Sequence, residues 1–201
     1  MARWTTWAGP TEEPHSIARV ATRLALTVDE ILSLPDDGYR HELVYGVHYV
    51  SPAPAGPHQV AVVKLAILLS ASCPSAYQVI VAPFAWVMTD PDGGRHEVQP
   101  DLLVVTAEQA RRARLEEKLP HLVVEVLSAG AANQARDLED KFALYQAVGV
   151  PAYWVLDPEA KLLRAWNLAG SELVLSAEAR ADQSFRTDWP WPVSFQPDEL
   201  T

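Results

Sequence analysis

Short apolar runs, each bounded by charged or turn-forming residues, dominate the chain. Two of them, residues 98–106 (VQPDLLVVT) and 122–127 (LVVEVL), are rich in Val and Leu and carry one acid each, Asp101 and Glu125. Runs of this length and composition predict strands that are buried on both faces of a sheet. Residues 77–88 predict another strand, with Pro83 at a bulge or an edge. The remaining predicted strands cover residues 152–156, 162–167 and 172–175.

Helices are predicted for residues 58–73, 107–118 and 134–148. The first is apolar on most sides, which implies burial against a sheet. The last is amphipathic and ends before Gly149, with Pro151 beyond it, a common pattern at helix C-termini. A shorter helix is expected after Thr27, because Glu30 stands three residues on, the spacing of a capping box.

Strands at both ends of the sequence and a β-α-β order around Glu125 predict an α/β (α+β) fold, with a central mixed sheet flanked by helices and extra antiparallel strands. Residues 39–50 (YRHELVYGVHYV) are expected to form a hairpin that turns at Tyr45 and Gly46. We expect an N-terminal arm over residues 1–22, a single domain over residues 23–187 and a C-terminal tail over residues 188–201.

Composition and charge narrow the possible functions. The 201 residues suffice for one sizeable core, and 49% of them are hydrophobic, as in an ordinary globular protein. The formal net charge of −10 argues against a broad, sequence-independent grip on nucleic acid, which needs many cations at phosphates. This negative charge does not exclude a nuclease, because an acidic metal site would account for part of the charge. Cys73 is the single cysteine, and no signal peptide or membrane-length apolar stretch is evident, so we expect a cytoplasmic protein.

The two acids in buried strands need a counter-charge, because an ionised carboxylate is costly to bury alone. Mg²⁺ or Mn²⁺ would supply it, since both prefer hard oxygen ligands. A structural Lys paired with Glu125 would supply it equally well. On the following helix Asp137, Lys141 and Tyr145 recur every four residues and share one face. Lys141 could orient a water and stabilise charge on a phosphate, or it could form an ordinary ion pair with Asp137.

Five segments in this order, RHELVYG, SPAPAGPHQ, VQPDLLVV, HLVVEVLSAG and ARDLEDKFALYQAVGVPAYWVLDP, closely resemble the Uma-two family of restriction-endonuclease-like proteins. This family belongs to the PD-(D/E)XK nuclease superfamily, and the resemblance covers roughly residues 26–175. It implies a restriction-endonuclease-like fold in which Pro100 and Asp101 supply the PD and Glu125 the second acid. The superfamily Lys normally stands two residues after that acid, where this sequence has Leu127. The family places a Lys on the next helix instead, which corresponds to Lys141.

The resemblance also implies further site residues and a reaction. Glu42 matches the early Glu of the HELV-type segment and would help complete the metal site, and Gln99 lies beside the PD. The resulting expectation is a Mg²⁺-dependent (or Mn²⁺-dependent) DNA endonuclease. Asp101, Glu125 and Glu42 would hold the metal, and Lys141 would position the attacking water. The alternative is a non-catalytic nucleic-acid-binding or regulatory module that retains the nuclease fold.

Motifs of nucleotide-binding proteins, α/β-hydrolases and zinc sites are missing from the sequence. There is no Walker loop, GxGxxG or GxSxG motif, and the histidines show no spacing typical of zinc ligands.

We expect a homodimer, because restriction-type nucleases often pair their active sites. A cluster of exposed tryptophans near both termini would also need cover. These tryptophans are Trp4, Trp7, Trp189 and Trp191.

Overall fold

The computed structural model describes residues 26–128 and 139–201. The predicted arm at residues 1–22 lies outside the described residues, and so does the beginning of the helix predicted at 134–148. The described α-helices are α1 (Val28–Leu32), α2 (Gly56–Ala71) and α3 (Lys141–Ala147). The strands are β1 (Arg40–Val44), β2 (Val47–Ser51), β3 (Tyr77–Val81), β4 (Trp86–Thr89), β5 (Arg95–Val98), β6 (Leu102–Thr106), β7 (Leu115–Glu116), β8 (Leu122–Val126), β9 (Ala152–Asp157), β10 (Leu162–Ala169), β11 (Glu172–Arg180), β12 (Phe185–Thr187) and β13 (Val193–Phe195).

Six strands form the larger sheet, in the order β11-β10-β9-β8-β6-β3. The pair β8–β9 is parallel, and the other neighbours are antiparallel. Val124 and Val126 belong to the apolar cluster that includes α2, whereas Val123 belongs to the cluster that includes α3. This division follows from the alternation of side chains along a strand. Among the described residues, α2 thus packs on one face of this sheet and α3 on the other, and the mixed α+β fold predicted from the sequence is confirmed.

A second sheet, in the order β2-β1-β5-β4-β7, carries the predicted hairpin. β1 and β2 pair in antiparallel register from Arg40 opposite Ser51 to Val44 opposite Val47. The two turn residues, Tyr45 and Gly46, both have positive φ angles of 48° and 73°. Positive φ at both central residues is the geometry that matches the twist of a two-residue hairpin.

The short helix α1 is confirmed together with its cap. The Thr27 side chain accepts from the backbone N–H of Glu30, and the Glu30 carboxylate accepts from the backbone N–H of Thr27. This is the reciprocal capping box that the spacing predicts. Gly149, just after α3, has a φ angle of 80°, as expected of the glycine that follows the C-terminus of a helix.

Three predicted elements were wrong, and one of them is the strand over residues 98–106, which the structure divides between β5, ending at Val98, and β6, beginning at Leu102. Residues 107–118 do not form a helix: Gln109–Arg111 is a short 3-10 helix, and Leu115–Glu116 is a strand parallel to β4. The apolar Leu115 is fully buried on β7, where it joins the core between the two sheets, so tertiary packing overrides the helical propensity of the charged residues around it. Residues 77–88 are not one strand, because β3 ends at Val81 in the larger sheet and the chain enters the second sheet as β4.

The last residues have ordered structure despite their lack of periodicity. β12 pairs with β13, and the 3-10 helix Pro197–Leu200 follows. Trp191 is buried, packs near Tyr77 and donates from its indole N–H to Ser72 Oγ at 3.0 Å. The expected exposed tryptophan cluster is therefore wrong for Trp191. Trp189 is exposed, with its ring tilted by 39° against that of His121, while the two N-terminal tryptophans lie outside the described residues.

Candidate active site

The four predicted site residues converge at one end of the larger sheet. Glu42 lies on β1, Asp101 immediately precedes β6, Glu125 lies on β8, and Lys141 is the first residue of α3. All four side chains are buried. β6 and β8 are hydrogen-bonded neighbours, with Leu102 opposite Val124, so the two acids of the predicted buried runs belong to adjacent strands.

Lys141 lies between two of the acids. Its Nζ is 2.9 Å from Glu42 Oε1 and 2.9 Å from Glu125 Oε1. Tyr145, one helical turn further along α3, donates its hydroxyl to Glu125 Oε1 at 2.7 Å. Burial, and then the charge of Glu125, raises the pKa of Tyr145 well above its usual value, so this hydroxyl keeps its proton and remains a donor. Asp137, the other predicted member of this helix face, lies outside the described residues.

Asp101 is held by a different set of groups. Arg40 donates to Asp101 Oδ1 at 2.9 Å, and His58 Nε2, at the start of α2, lies 3.2 Å from the same oxygen. The backbone N–H of Val126 donates to Asp101 Oδ2 at 2.8 Å. Burial alone would raise the pKa of Asp101, but the His58 hydrogen bond and the Arg40 charge lower it to about 2. Asp101 is therefore a carboxylate throughout the physiological pH range.

Asp101 leaves the strand pattern because the run 98–106 is interrupted. Pro100 has no N–H to donate, and the Gln99 N–H donates to Glu42 Oε1 at 2.9 Å instead of to a neighbouring strand. The carbonyl of Asp101 accepts from the Ala82 N–H at 3.1 Å. This short break between β5 and β6 brings a backbone N–H to Glu42 and presents the Asp101 side chain at the sheet end.

A fourth buried acid, Glu97 on β5, was not singled out from the sequence. Gln99 Nε2 donates to Glu97 Oε1 at 3.3 Å, and within the described residues Glu97 Oε2 has no hydrogen-bond partner. Burial and the nearby charge of Glu42 raise the pKa of Glu97 to about 8. A single amide donor does not compensate the loss of water, so Glu97 is mostly protonated at neutral pH.

Arg40 lies between Asp101 and the pair of Glu42 and Glu125, and sequence reasoning also missed this residue. Burial alone would lower the pKa of Arg40. The charges of Asp101 and Glu42, and then of Glu125, keep this pKa above its ordinary value. His58 was considered only as a scattered histidine. Its Nδ1 lies 3.2 Å from Ser128 Oγ, which makes a chain from Ser128 through His58 to Asp101. The available signals were local: Arg40 directly precedes the HELV segment, and His58 is one of the few polar residues in a largely apolar helix.

The surface opens in front of Asp101. A cavity of about 320 Å³ reaches the carboxylate and is bordered by Arg40, His58 and Gln99. The side chain of Arg40 is 18% exposed, whereas those of Glu42 and Lys141 are 1% and 0% exposed. Asp101 is thus the site acid nearest to a space that a substrate could enter.

The donor chemistry of the site fits a hard divalent cation. With Glu97 protonated, Glu42, Asp101 and Glu125 formally carry three negative charges against the two positive charges of Arg40 and Lys141. Carboxylate oxygens and a net negative charge are what Mg²⁺ and Mn²⁺ require.

The acids do not form a closed ligand cage. Over residues 26–128 and 139–201, no group of three His, Cys, Asp or Glu side chains is arranged to hold a metal ion. Asp101 contacts α2 through His58, whereas Glu125 contacts α3 through Lys141 and Tyr145. Protein cations therefore contact each acid that the sequence assigns to a metal.

A mixed sheet with helices on both faces and acids gathered at one end defines this chain as a protein of the restriction-endonuclease-like fold. The Uma2 family model, described as "Putative restriction endonuclease", matches residues 28–188, and the chain belongs to this family. One similar solved structure is the "Crystal structure of a putative nuclease belonging to DUF820 from Anabaena variabilis ATCC 29413". It superposes with a TM-score of 0.62 at 16% identity, over 87% of this chain and 97% of that chain, which shows a shared fold. No curated protein matched the sequence. Among the described residues, no helix is long and apolar enough to cross a membrane.

Proposed function

We propose that the chain is a Mg²⁺- or Mn²⁺-dependent DNA endonuclease that hydrolyses phosphodiester bonds, with the cytoplasm as its compartment. The observation that carries the proposal is the convergence of Glu42, Asp101, Glu125 and Lys141 at one end of the sheet, beside a cavity. Membership of a family described as a restriction endonuclease supports the same activity.

The proposed roles follow from the chemistry of the side chains. Asp101 and Glu125 would hold the metal, with assistance from Glu42. The metal, when bound, acts as a Lewis acid and neutralises charge that develops on the phosphate. Arg40 and His58 orient Asp101 through their contacts with Oδ1.

Lys141 is proposed to position the attacking water and to stabilise negative charge in the transition state. Its described contacts hold Glu42 and Glu125 at fixed distances. A cation on the helix after β8 therefore supplies a positive charge near the acids, although Leu127 stands where the superfamily pattern has a Lys on the strand.

The second candidate function is a non-catalytic nucleic-acid-binding or regulatory module that retains the fold. Two observations favour it. The described acids are not arranged as metal ligands, and Arg40 is the only Lys or Arg among the described residues that border the cavity. In this case the pairs of Lys141 with Glu42 and Glu125 would be structural.

A cleavage assay separates the two candidates. Supercoiled plasmid, linear duplex and single-stranded DNA are incubated with the protein in Mg²⁺ and in Mn²⁺. A nuclease should cut at least one substrate, and Asp101→Asn and Glu125→Gln should each abolish cutting while circular dichroism remains unchanged. Glu178→Gln, a surface acid paired with Arg164, is the matched control and should cut normally. Intact substrates in both metals would contradict the nuclease and favour the module.

A homodimer is part of the proposal, because restriction-type nucleases often pair their active sites. Exposed apolar side chains of α2 outside the cavity, namely Val60 and Ile67, support a covered face. Sedimentation at micromolar concentration tests this, and a monomer alone would contradict it.

A further inference from the structure

The cavity in front of Asp101 has an aromatic and apolar wall. Tyr39, which is 55% exposed, borders it together with Pro52, Pro54, Val63 and Pro83. An exposed tyrosine ring beside proline and valine side chains offers a flat apolar surface. The volume of the cavity, about 320 Å³, lies within the ~300–1,000 Å³ typical of small-ligand pockets.

Tyr39 stands on a loop with its own hydrogen bonds. The backbone N–H of Tyr39 donates to Asp37 Oδ1 at 3.0 Å, and the N–H of Gly38 donates to Asp36 Oδ1 at 3.2 Å. Such side-chain-to-backbone contacts fix the turn that leads into β1. The ring is therefore presented by an ordered segment, and the next residue, Arg40, contacts Asp101.

The charge of the cavity excludes one common binding mode. Among its described lining residues the only Lys or Arg is Arg40, which is already paired with Asp101, while Asp36 adds a negative charge. A protein that grips the backbone of a duplex neutralises several phosphates with Lys and Arg. The cavity has no such row of cations among the residues that the structure describes.

Base stacking is a second source of affinity, which single-strand-binding proteins combine with contacts between cations and the backbone. Unpaired bases stack on aromatic side chains in single-strand-binding proteins, and this contact tolerates any base because every base has a π face. The amide of Gln59 also borders the cavity and can hydrogen-bond to a base edge.

We propose that this cavity binds one unpaired base of single-stranded nucleic acid, with the base stacked on Tyr39 and the adjoining phosphate at the side chain of Arg40. The inference rests on the proposed function for its substrate class and refines it: the substrate is a single strand, an end or an extruded nucleotide rather than an intact duplex. One guanidinium nitrogen of Arg40 donates to Asp101, and the other N–H groups of this partly exposed side chain can donate to that phosphate.

Fluorescence anisotropy tests the base site independently of cleavage. Labelled twelve-nucleotide thymidine DNA, the corresponding uridine RNA and a DNA duplex of the same length are titrated with the full chain in EDTA. At least one single strand should bind ten or more times more tightly than the duplex, and the DNA and RNA arms identify the preferred sugar. Tyr39→Ala should weaken single-strand binding about 5- to 100-fold, the range for loss of one stacking contact.

Two further variants distinguish stacking from a general surface effect. Tyr39→Phe keeps the ring and should bind within about twofold of the unmodified protein. Tyr45→Ala removes a tyrosine of similar exposure (49%) at the opposite end of β1 and should change nothing. Equal affinity for duplex and single strand, or an unchanged affinity in a folded Tyr39→Ala protein, would overturn the inference.

The outcomes for this inference and for the nuclease are separable. A protein that cuts duplex DNA without any effect of Tyr39→Ala retains the proposed nuclease and loses the base site. A protein that binds single strands through Tyr39 but cuts nothing loses the nuclease and retains the base site.

Discussion

The site has a buried half and a cavity half, and they compensate their charges differently. In the buried half, formed by Glu42, Glu125, Lys141 and Tyr145, no side chain is more than 1% exposed. In the cavity half, formed by Arg40, His58 and Asp101, the Arg40 side chain is 18% exposed and the cavity reaches Asp101. In the buried half, groups of the protein compensate the charges: Lys141 contacts both acids, and the backbone N–H of Gln99 donates to Glu42. A charge in the cavity half can also meet an incoming group, so the chemistry is expected to begin there.

Two acids near this boundary show how partners decide the charge of a buried group. The pKa of Asp101 falls to about 2, whereas that of Glu97, four residues earlier, rises to about 8. Both are almost completely buried. Asp101 accepts from Arg40, His58 and a backbone N–H, and Glu97 accepts from a single amide. Burial raises both values, and the surrounding donors and cations decide which acid remains charged.

The largest expected effect is in the buried half, where Lys141→Ala leaves two buried carboxylates without their cation. Removal of one partner from a buried ion pair typically lowers the free energy of unfolding by about 3–5 kcal/mol. Urea denaturation at pH 7 measures the loss. Lys118→Ala, at an exposed lysine, is the control and should stay within about 0.5 kcal/mol.

A combined variant sharpens this result. Lys141→Ala with Glu42→Gln and Glu125→Gln removes the cation together with the two anions that it contacts, and it should recover much of the lost stability because these anions no longer lack the Lys141 charge. A loss below about 1 kcal/mol for Lys141→Ala alone would mean that Lys141 is no more than a surface-type helix pair.

The next effect is a pH dependence caused by Glu97. Its pKa is raised from 4.5 to about 8 in the folded protein, so above pH 4.5 the unfolded chain loses a proton that the folded chain retains. The free energy of unfolding should therefore fall as the pH rises from 5 to 8, by about 3 kcal/mol from this group. Glu97→Gln should remove that slope, as measured by urea denaturation in EDTA. Glu172→Gln, at an exposed acid, should leave it intact, and an unchanged slope in Glu97→Gln would contradict the raised pKa.

The sequence predicted the elements better than it predicted the electrostatics. The apolar run around Glu125 and the helix face of Lys141 and Tyr145 have a clear periodicity, so their meeting could be anticipated. The break before β6 could not, because it depends on a side-chain contact between Glu42 and the N–H of Gln99, 57 positions apart. Arg40 and His58 are likewise defined by long-range contacts with Asp101, which no local pattern contains.

In the cavity half, loss of the Asp101 charge should lower the free energy of unfolding by a smaller amount. Because its folded pKa is lowered from 3.8 to about 2, ionised Asp101 contributes stability above pH 3.8 that is lost as the pH falls through 2. The contribution at pH 7 is about 2 kcal/mol. Asp101→Asn should lower the free energy of unfolding by about this amount at pH 7 and by less at pH 3. Asp29→Asn, at an exposed acid, is the control, and a gap that does not narrow at low pH would contradict the lowered pKa.

The smallest expected effect comes from Ser128, the outermost contact of the cavity half. If the Ser128 hydroxyl donates to His58 Nδ1, then His58 Nε2 carries the hydrogen that is donated to Asp101 Oδ1, and Ser128 fixes this tautomer. Ser128→Ala should lower the free energy of unfolding by only about 1 kcal/mol, the value of one hydrogen bond. In the proposed nuclease it should lower kcat and leave KM unchanged, because it alters the orientation of Asp101 and not the wall that binds the base. Steady-state kinetics measures the split, with Ser184→Ala, a surface serine paired with Ser194, as the control. A higher KM at constant kcat would place Ser128 in substrate binding, and unchanged kinetics would mean that His58 keeps its tautomer without help.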